Sequence, residues 1–381
     1  MIAFLLVQLI QNLPIKAEPQ KDIVVTARRL GDSYAECLER RCTPAQDAHV
    51  TIALAEQRLR EGKYVLAKDM LAKAVGRNRG FEKTYPRSLA ALYDAYGTVA
   101  FHEGDTEVFR RATSSQMGVL RRNLPNTDPS VVYATIHVGD MWVKLKHFRS
   151  ADASYAEAEK EAREHGQGVA ALVASLRRVS LLTAVGRMEQ AEKILVAVEH
   201  DPQVDNASIR AGVQTARARL GTKRENGGSI DDLVKGITPM ANGEPILVQE
   251  PSFAQSPAEH AKETARLFLG STPGDDIPSG IEWADVSFRV KPDGHTEDIT
   301  VLRGTLSTAQ TRMILKQIAG RRYAVTSTDN VAQNDRLERY TYRGTYTVPA
   351  NSRIRRRWGL ADMTVLDLSD APPSIKGKPA P

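Results

Sequence analysis

The sequence predicts an α+β multidomain chain: an α-helical solenoid followed by a small β-β-α-β module. Three observations predict it. Four similar turn signatures recur in the first half, their first residues spaced by 42, 42 and 40 positions. The apolar period changes from helical to alternating at Ile281. Two capping boxes, Thr43-Pro44-Ala45-Gln46 and Ser307-Thr308-Ala309-Gln310, mark one helix start before the repeats and one inside the module.

The helical region is placed at residues 43–220. Thr43 caps its first helix, Pro44 suits the first turn, and Ile52, Leu54, Ala55 and Leu59 follow a helical period. The four signatures are Gly62-Lys63-Tyr64-Val65-Leu66-Ala67, Gly104-Asp105-Thr106-Glu107-Val108-Phe109, Lys146-His147-Phe148-Arg149-Ser150-Ala151 and Gly186-Arg187-Met188-Glu189-Gln190-Ala191. Glycine is favoured where the chain leaves one helix in a left-handed conformation. Tyr64, Phe148 and Met188 fill the seam of a helix pair, and Ala67, Ala151 and Ala191 let its members approach. In the second unit Thr106 and Phe109 exchange the large and small roles.

This pattern resembles the tetratricopeptide repeat family, with units longer than the family's usual period. The resemblance implies helical hairpins stacked into a concave surface that binds peptides or proteins. Residues 206–220 read as a terminal capping helix. Residues 221–280, rich in Gly, Pro and Ser, read as a linker with one helix near 258–268.

From Ile281, Trp283, Asp285, Ser287 and Arg289 fall on one side of a strand, and Ala284, Val286, Phe288 and Val290 on the other. Lys291-Pro292-Asp293-Gly294 is a turn, Pro presetting one backbone angle and Gly tolerating the reversed one. A second strand is expected over 295–303. A helix follows with Met313, Ile314, Leu315 and Ile318 inward, then a short strand at Arg322-Tyr323-Ala324-Val325 and a long one over 337–348.

Val286-x-Phe288-x-Val290-Lys291-Pro292-Asp293-Gly294, followed by Val301-Leu302, resembles the TonB C-terminal domain over residues 281–350. Arg322-Tyr323-Ala324 stands where that family has a Trp-x-Phe-x-Pro element. The resemblance implies strand addition, in which an extended peptide pairs with an open sheet edge. The strand carrying Tyr340, Tyr342 and Tyr346 is the expected edge. The alternative is that these tyrosines simply cover one sheet face. Near the N-terminus, Asp22-Ile23-Val24-Val25-Thr26-Ala27 resembles the TonB box of outer-membrane receptors, within a segment assigned to 18–42.

The run from Met1 to Ile10 is apolar but too short for a span of roughly 20 residues. It reads as the core of a signal peptide over 1–17, cleaved after Ala17, or else as a buried apolar segment. Export places the protein in the periplasm of a Gram-negative type envelope. Cys37 and Cys42 then read as a local disulfide; without export they are two buried thiols.

The formal net charge is +6, unevenly spread: from Ile281 onward sixteen Lys/Arg face eleven Asp/Glu. That favours an acidic or anionic partner for the C-terminal part, or leaves a solvated basic surface. The basic patch Arg353, Arg355, Arg356 and Arg357 opens the last segment, 351–381, and is suited to phosphate, lipid head groups or acidic peptide. Peripheral membrane contact fits this patch. Nucleic acid does not fit an exported chain.

No HExxH, GxSxG, Walker-type loop or GxGxxG occurs in the sequence. No catalytic residues, cofactor or metal are expected. Function is expected to be that of an envelope protein-binding scaffold, joining a helical groove to a strand-pairing module. The alternatives are an energy-coupling component of TonB-dependent transport and an enzyme whose site is dispersed in sequence.

Overall fold

The computed structural model describes residues 27–39, 41–223, 231, 234, 237, 245–251, 253, 280–324, 334–347 and 353–369. The chain divides between Ala174 and Ser175 into two compact units. The signal-peptide reading and Asp22 to Thr26 of the TonB-box-like stretch fall outside the described residues, while Ala27 opens the first helix.

The first unit is helical. Its elements are α1 (Ala27–Leu38), α2 (Pro44–Arg60), α3 (Tyr64–Asn78), α4 (Pro86–Glu103), α5 (Thr106–Asn123), α6 (Pro129–Lys144) and α7 (Phe148–Glu164). Helix α8 (Gly168–Ala184) begins in this unit and ends in the next. Cys37 and Cys42 form a disulfide between α1 and the turn before α2. The expected capping box starts α2: Thr43 Oγ1 accepts from the Gln46 amide at 3.3 Å, and Gln46 Oε1 accepts from the Thr43 amide at 2.9 Å.

The repeat is built into the turns. The first residue of every signature has a left-handed backbone, with φ of 77° at Gly62, 95° at Gly104, 63° at Lys146 and 82° at Gly186. At each turn the next amide donates to the carbonyl five residues back: Lys63 to Arg58, Asp105 to Ala100, His147 to Trp142 and Arg187 to Leu182, at 2.8 to 2.9 Å. This is the C-terminal cap that consumes a helix's last free carbonyls. Gly166, with φ of 69°, makes the same turn between α7 and α8.

Packing follows the signatures at Tyr64 and at the small residues, while Phe148 and Met188 are half-buried. Ala67, Ala151 and Ala191 are fully buried, as is Tyr64. In the second unit of the repeat Phe109 takes the buried role, and Gly97 on α4 receives it: a Cβ at Gly97 would meet the Phe109 ring at 3.4 Å. Helix α2 packs on both α3 and α4, so the first helices of adjacent hairpins touch directly.

The second compact unit holds the rest of α8, then α9 (Met188–Glu199), α10 (Ala207–Lys223) and the β-rich part. Its strands are β1 (Ile246–Gln249), β2 (Ile281–Val290), β3 (Thr296–Gly304), β4 (Arg322–Ala324), β5 (Asp335–Thr347) and β6 (Arg356–Asp367), with α11 (Thr308–Ala319) between β3 and β4. Strands β1 and β4 form an antiparallel pair, and the main sheet runs β3-β2-β5-β6, also antiparallel. The β2–β3 turn is as expected: Gly294 has φ of 82°, and Asp293 Oδ1 accepts the His295 amide at 3.0 Å. The second capping box, Ser307 with Gln310, starts α11.

Ala284, Val286, Phe288 and Val290 form the core with Ile314, Ile318, Tyr323 and Tyr340, Leu315 packing at its margin. Met313 is half-buried instead of inward. Two differences from the sequence reading have clear causes. The stretch read as linker contributes β1, whose Ile246 and Val248 pack with Ala211 and Ala218 of α10. The basic run does not follow the sheet: Arg356 and Arg357 open β6, which completes it.

Candidate binding surfaces

Helices α2, α4 and α6 open their hairpins and carry solvent-facing residues at helical spacing. These are His49 and Glu56 on α2, Ala91 and Asp94 on α4, and His137 on α6, with Tyr133 half-buried one turn before it. The ends of α4 and α6 are joined, Arg87 pairing with Asp128 and donating to Ser130 Oγ at 2.5 Å. Although the Glu56 side chain is exposed, its carboxyl is pushed above the ordinary range by desolvation, with Arg60 and His49 pulling it back. Desolvation likewise raises the Tyr133 phenol.

The second helices stiffen this face from behind. Arg77 binds the buried Asp47 through two nitrogens at 3.1 and 2.7 Å, and Asn78 donates to the same carboxylate at 2.6 Å. Arg121 on α5 reaches Glu157 and Glu161 on α7 at 3.2 and 2.9 Å. Lys68 pairs with the buried Glu103 and Asp105 at the α4–α5 turn.

In the second unit the polar chemistry of β5 is internal. Arg321, wholly buried, donates to Glu338 at 2.8 and 2.9 Å, to Glu250 at 2.9 Å, to the Tyr323 hydroxyl at 3.1 Å and to the Tyr340 hydroxyl at 3.0 Å. Burial opposes the Arg321 charge, but Glu338, the two tyrosines and Glu250 together hold its pKa well above the ordinary value. Burial drives the Tyr340 phenol upward. Burial also raises Glu250, against the pull of Arg321 and with the push of Glu338. On the other sheet face Asp285 accepts from Arg339 at 2.6 and 2.8 Å and from Arg303 at 2.8 Å, while Arg339 stacks 3.9 Å from the Trp283 ring. These buried networks fix the sheet.

The expected edge is corrected here. Strand β5 lies between β2 and β6, so Tyr340 and Tyr342 are paired on both sides, while Tyr346, past the last β2 partner at Arg343, pairs with Arg357 of β6. Tyr340 points into the core and binds Arg321, and Tyr346 lies under Arg355, 5.0 Å from ring centroid to guanidinium carbon. Sequence reasoning missed β6 because its first residues, Arg356-Arg357-Trp358-Gly359, show no alternation; the signal was Met363-Thr364-Val365-Leu366 further on. Arg353, Arg355 and Arg356 are exposed at the start of that strand.

Among the described residues no group of three or more His, Cys, Asp or Glu is placed to hold a metal ion, and no helix is long and apolar enough to cross a membrane.

No family model and no curated protein matches the chain. Among solved structures it is similar to the nearly identical tetratricopeptide-like repeats of a Podosopora anserina kinesin light chain, at 12% identity over 51% of this chain and 94% of that one, TM-score 0.40. It is similar to BtubC from P. vanneervenii at 13% identity, covering 66% of this chain and 93% of that one, TM-score 0.43. It is similar also to the Rap conjugation gene regulator of plasmid pLS20 in complex with the Phr* peptide, at 13% identity, covering 58% of this chain and 57% of that one, TM-score 0.38. The repeat itself is defined by the chain's own recurring turns: a mostly helical repeat region with a small antiparallel-sheet part at its C-terminal end.

Proposed function

We propose that this protein is a non-catalytic binding scaffold that holds a peptide or protein segment against the first-helix face of its repeats. The observation that carries the reading is the row His49, Glu56, Ala91, Asp94 and His137, exposed on helices whose other faces are held by buried packing and by contacts such as Arg77–Asp47 and Tyr155–Asp140. A rigid face with mixed acidic, imidazole and small side chains costs little ordering on binding and offers directional polar contacts.

The C-terminal sheet serves as a second, strand-pairing element, in keeping with its resemblance to the TonB C-terminal domain. The Asp293–Gly294 hairpin, the following helix α11 and the aromatic strand β5 support that likeness. The open backbone edge suited to pairing is that of β6, since β5 is interior. The setting is the periplasm, for which the Cys37–Cys42 disulfide is the supporting feature. Energy coupling in TonB-dependent transport is the reading that the same module would support if the chain stayed anchored by its N-terminus.

A photocrosslinking amino acid placed at Asp94 or His137, in cells, tests the scaffold reading. Adducts from those positions, and none from Arg163 on α7, are expected. Equal labelling from Arg163 would overturn it. N-terminal sequencing of the recovered protein, expected to begin at Glu18, tests export.

A further inference from the structure

The exposed arginines at the start of β6 take no part in the helical face or in the sheet core. From Tyr340 to Leu360 the chain has arginine at 343, 353, 355, 356 and 357, and no Asp or Glu. Arg343 is buried in the sheet, whereas Arg353, Arg355 and Arg356 are exposed. The pairing of β6 with β5 begins with Arg356 opposite Thr347, so the cluster sits at one end of the sheet and not on a free tail. Arg355 is held there by Tyr346, its guanidinium carbon 5.0 Å from the ring centroid. The flanking carboxylates are Glu282 of β2, opposite Tyr342, and Asp362 of β6, opposite Arg343. Arg343 precedes Thr347 by four residues, which is about 13 Å along a strand. That exceeds the screening length of about 8 Å at physiological ionic strength. The positive charge at this end of the sheet is therefore locally uncompensated.

An apolar side chain stands inside the cluster. Ile354, between Arg353 and Arg355, is 66% exposed, more than any other large hydrophobic side chain among the described residues. Four exposed residues in succession, 353–356, form a projection, which neither a free phosphate ion nor a lone carboxylate can enclose. Water around Ile354 is shed only onto a partner that has an apolar layer behind its anions. An anionic phospholipid bilayer has that layering. Its phosphates accept from the planar guanidinium forks, and the boundary beneath them accommodates an aliphatic side chain.

We propose that residues Arg353 to Arg356 dock this protein peripherally on an anionic phospholipid surface, Ile354 entering the boundary between headgroups and acyl chains and the three exposed arginines lying on phosphates. The contact adds a membrane surface to the peptide-binding scaffold and does not depend on it.

Flotation of the full chain with lipid vesicles tests the proposal. Binding is expected to phosphatidylcholine vesicles containing about 30% phosphatidylglycerol and not to phosphatidylcholine alone, and it should fall steeply as salt rises to about 0.5 M. Arg353→Ala, Arg355→Ala and Arg356→Ala are each expected to weaken binding about fivefold, the effect of one basic residue near such a surface. Ile354→Ala should weaken it by about the same factor. Lys73, Arg111 and Lys160 are exposed on the helical unit. Their joint replacement by alanine removes as much charge, and is expected to change binding less than about threefold. A phospholipid with a photoreactive acyl chain maps the contact on the unmodified chain, with label expected at 353–356. Equal binding to uncharged vesicles overturns the proposal, as does an equal loss in the helical-unit variant or label confined to other residues. If the chain ignores anionic vesicles while a polyglutamate peptide slows hydrogen exchange at 353–356, the cluster is a site for acidic peptide and the lipid proposal is overturned. It is overturned equally if the chain ignores both.

Discussion

Gly139 on α6 lies directly under the ring of Tyr155 on α7; a Cβ built at Gly139 would stand 2.3 Å from that ring. The missing side chain allows the helix pair to close, and the Tyr155 hydroxyl completes the contact by donating to Asp140 at 2.6 Å. Tyr155 is wholly buried, so its ring has no room to retreat.

Gly139→Ala is therefore expected to destabilise the first unit by about 1–3 kcal/mol, the usual cost of overpacking. Alanine is otherwise the better helix former, so propensity alone predicts the opposite sign. Urea unfolding of the full chain, read from α6 and α7 amide exchange, distinguishes the two. In the double variant with Tyr155→Leu the Gly139→Ala penalty should shrink, since the ring that clashes is gone.

The left-handed turns give a paired prediction. Lys146 holds φ of 63° at the position where the other three signatures have glycine. A non-glycine residue in this region costs roughly 1–2 kcal/mol, and glycine's extra chain entropy offsets part of any relief. Lys146→Gly is expected to raise stability by several tenths of a kcal/mol to about 1 kcal/mol. Gly62→Ala and Gly186→Ala are expected to lower it by about 1 kcal/mol each. Thermal melts of the three variants check both signs; a destabilising Lys146→Gly would show that its side chain contributes more than its backbone costs.

These turns were also the most legible part of the fold. A left-handed helix exit leaves a local trace, glycine followed by a seam residue, and even Lys146 could be placed by its spacing from the neighbours. Both capping boxes were legible for the same reason: donor and acceptor lie within four residues. The buried cluster was not. Glu250 and Arg321 stand 71 positions apart, and neither has a neighbour in sequence that marks it as buried. The tyrosines of β5 were visible as a strand, but whether a strand is an edge depends on β6, whose basic start hides its period. The candidate face on α2, α4 and α6 was implied by the repeat, while its particular residues required the packing to show which side each helix buries.

Arg321 offers a test of how the second unit is held. Its side chain is completely buried and its charge is balanced by Glu338 at 2.8 Å. Arg321→Met leaves Glu338 buried beside Tyr340 without its cation, and loss of one partner of a buried pair costs about 3–5 kcal/mol. The expected result is selective loss of exchange protection in β4 and β5, while α2 to α7 keep theirs. Replacing Glu338 by Gln in the same protein should recover part of the loss, because the stranded charge is then removed.

Glu250 makes the stability of this unit depend on pH in a predictable direction. Burial and the nearby Glu338 raise its pKa, and Arg321 only partly offsets them. An acid whose pKa is higher folded than unfolded binds its proton more tightly in the folded state. Its contribution is fully present below the unfolded value, near 4.5, and is lost as pH rises through the folded value. Glu250→Gln keeps an oxygen to accept from Arg321 and removes the titration. The variant's melting temperature relative to the unmodified protein is therefore expected to increase from pH 4 to pH 7. Carboxylates such as Asp128 and Asp293, whose pKa values are lowered, act in the opposite sense in both proteins and cancel in the difference. A constant difference across that range would mean that Glu250 has the same proton affinity folded and unfolded, and a decreasing one would mean that the Arg321 charge dominates its environment.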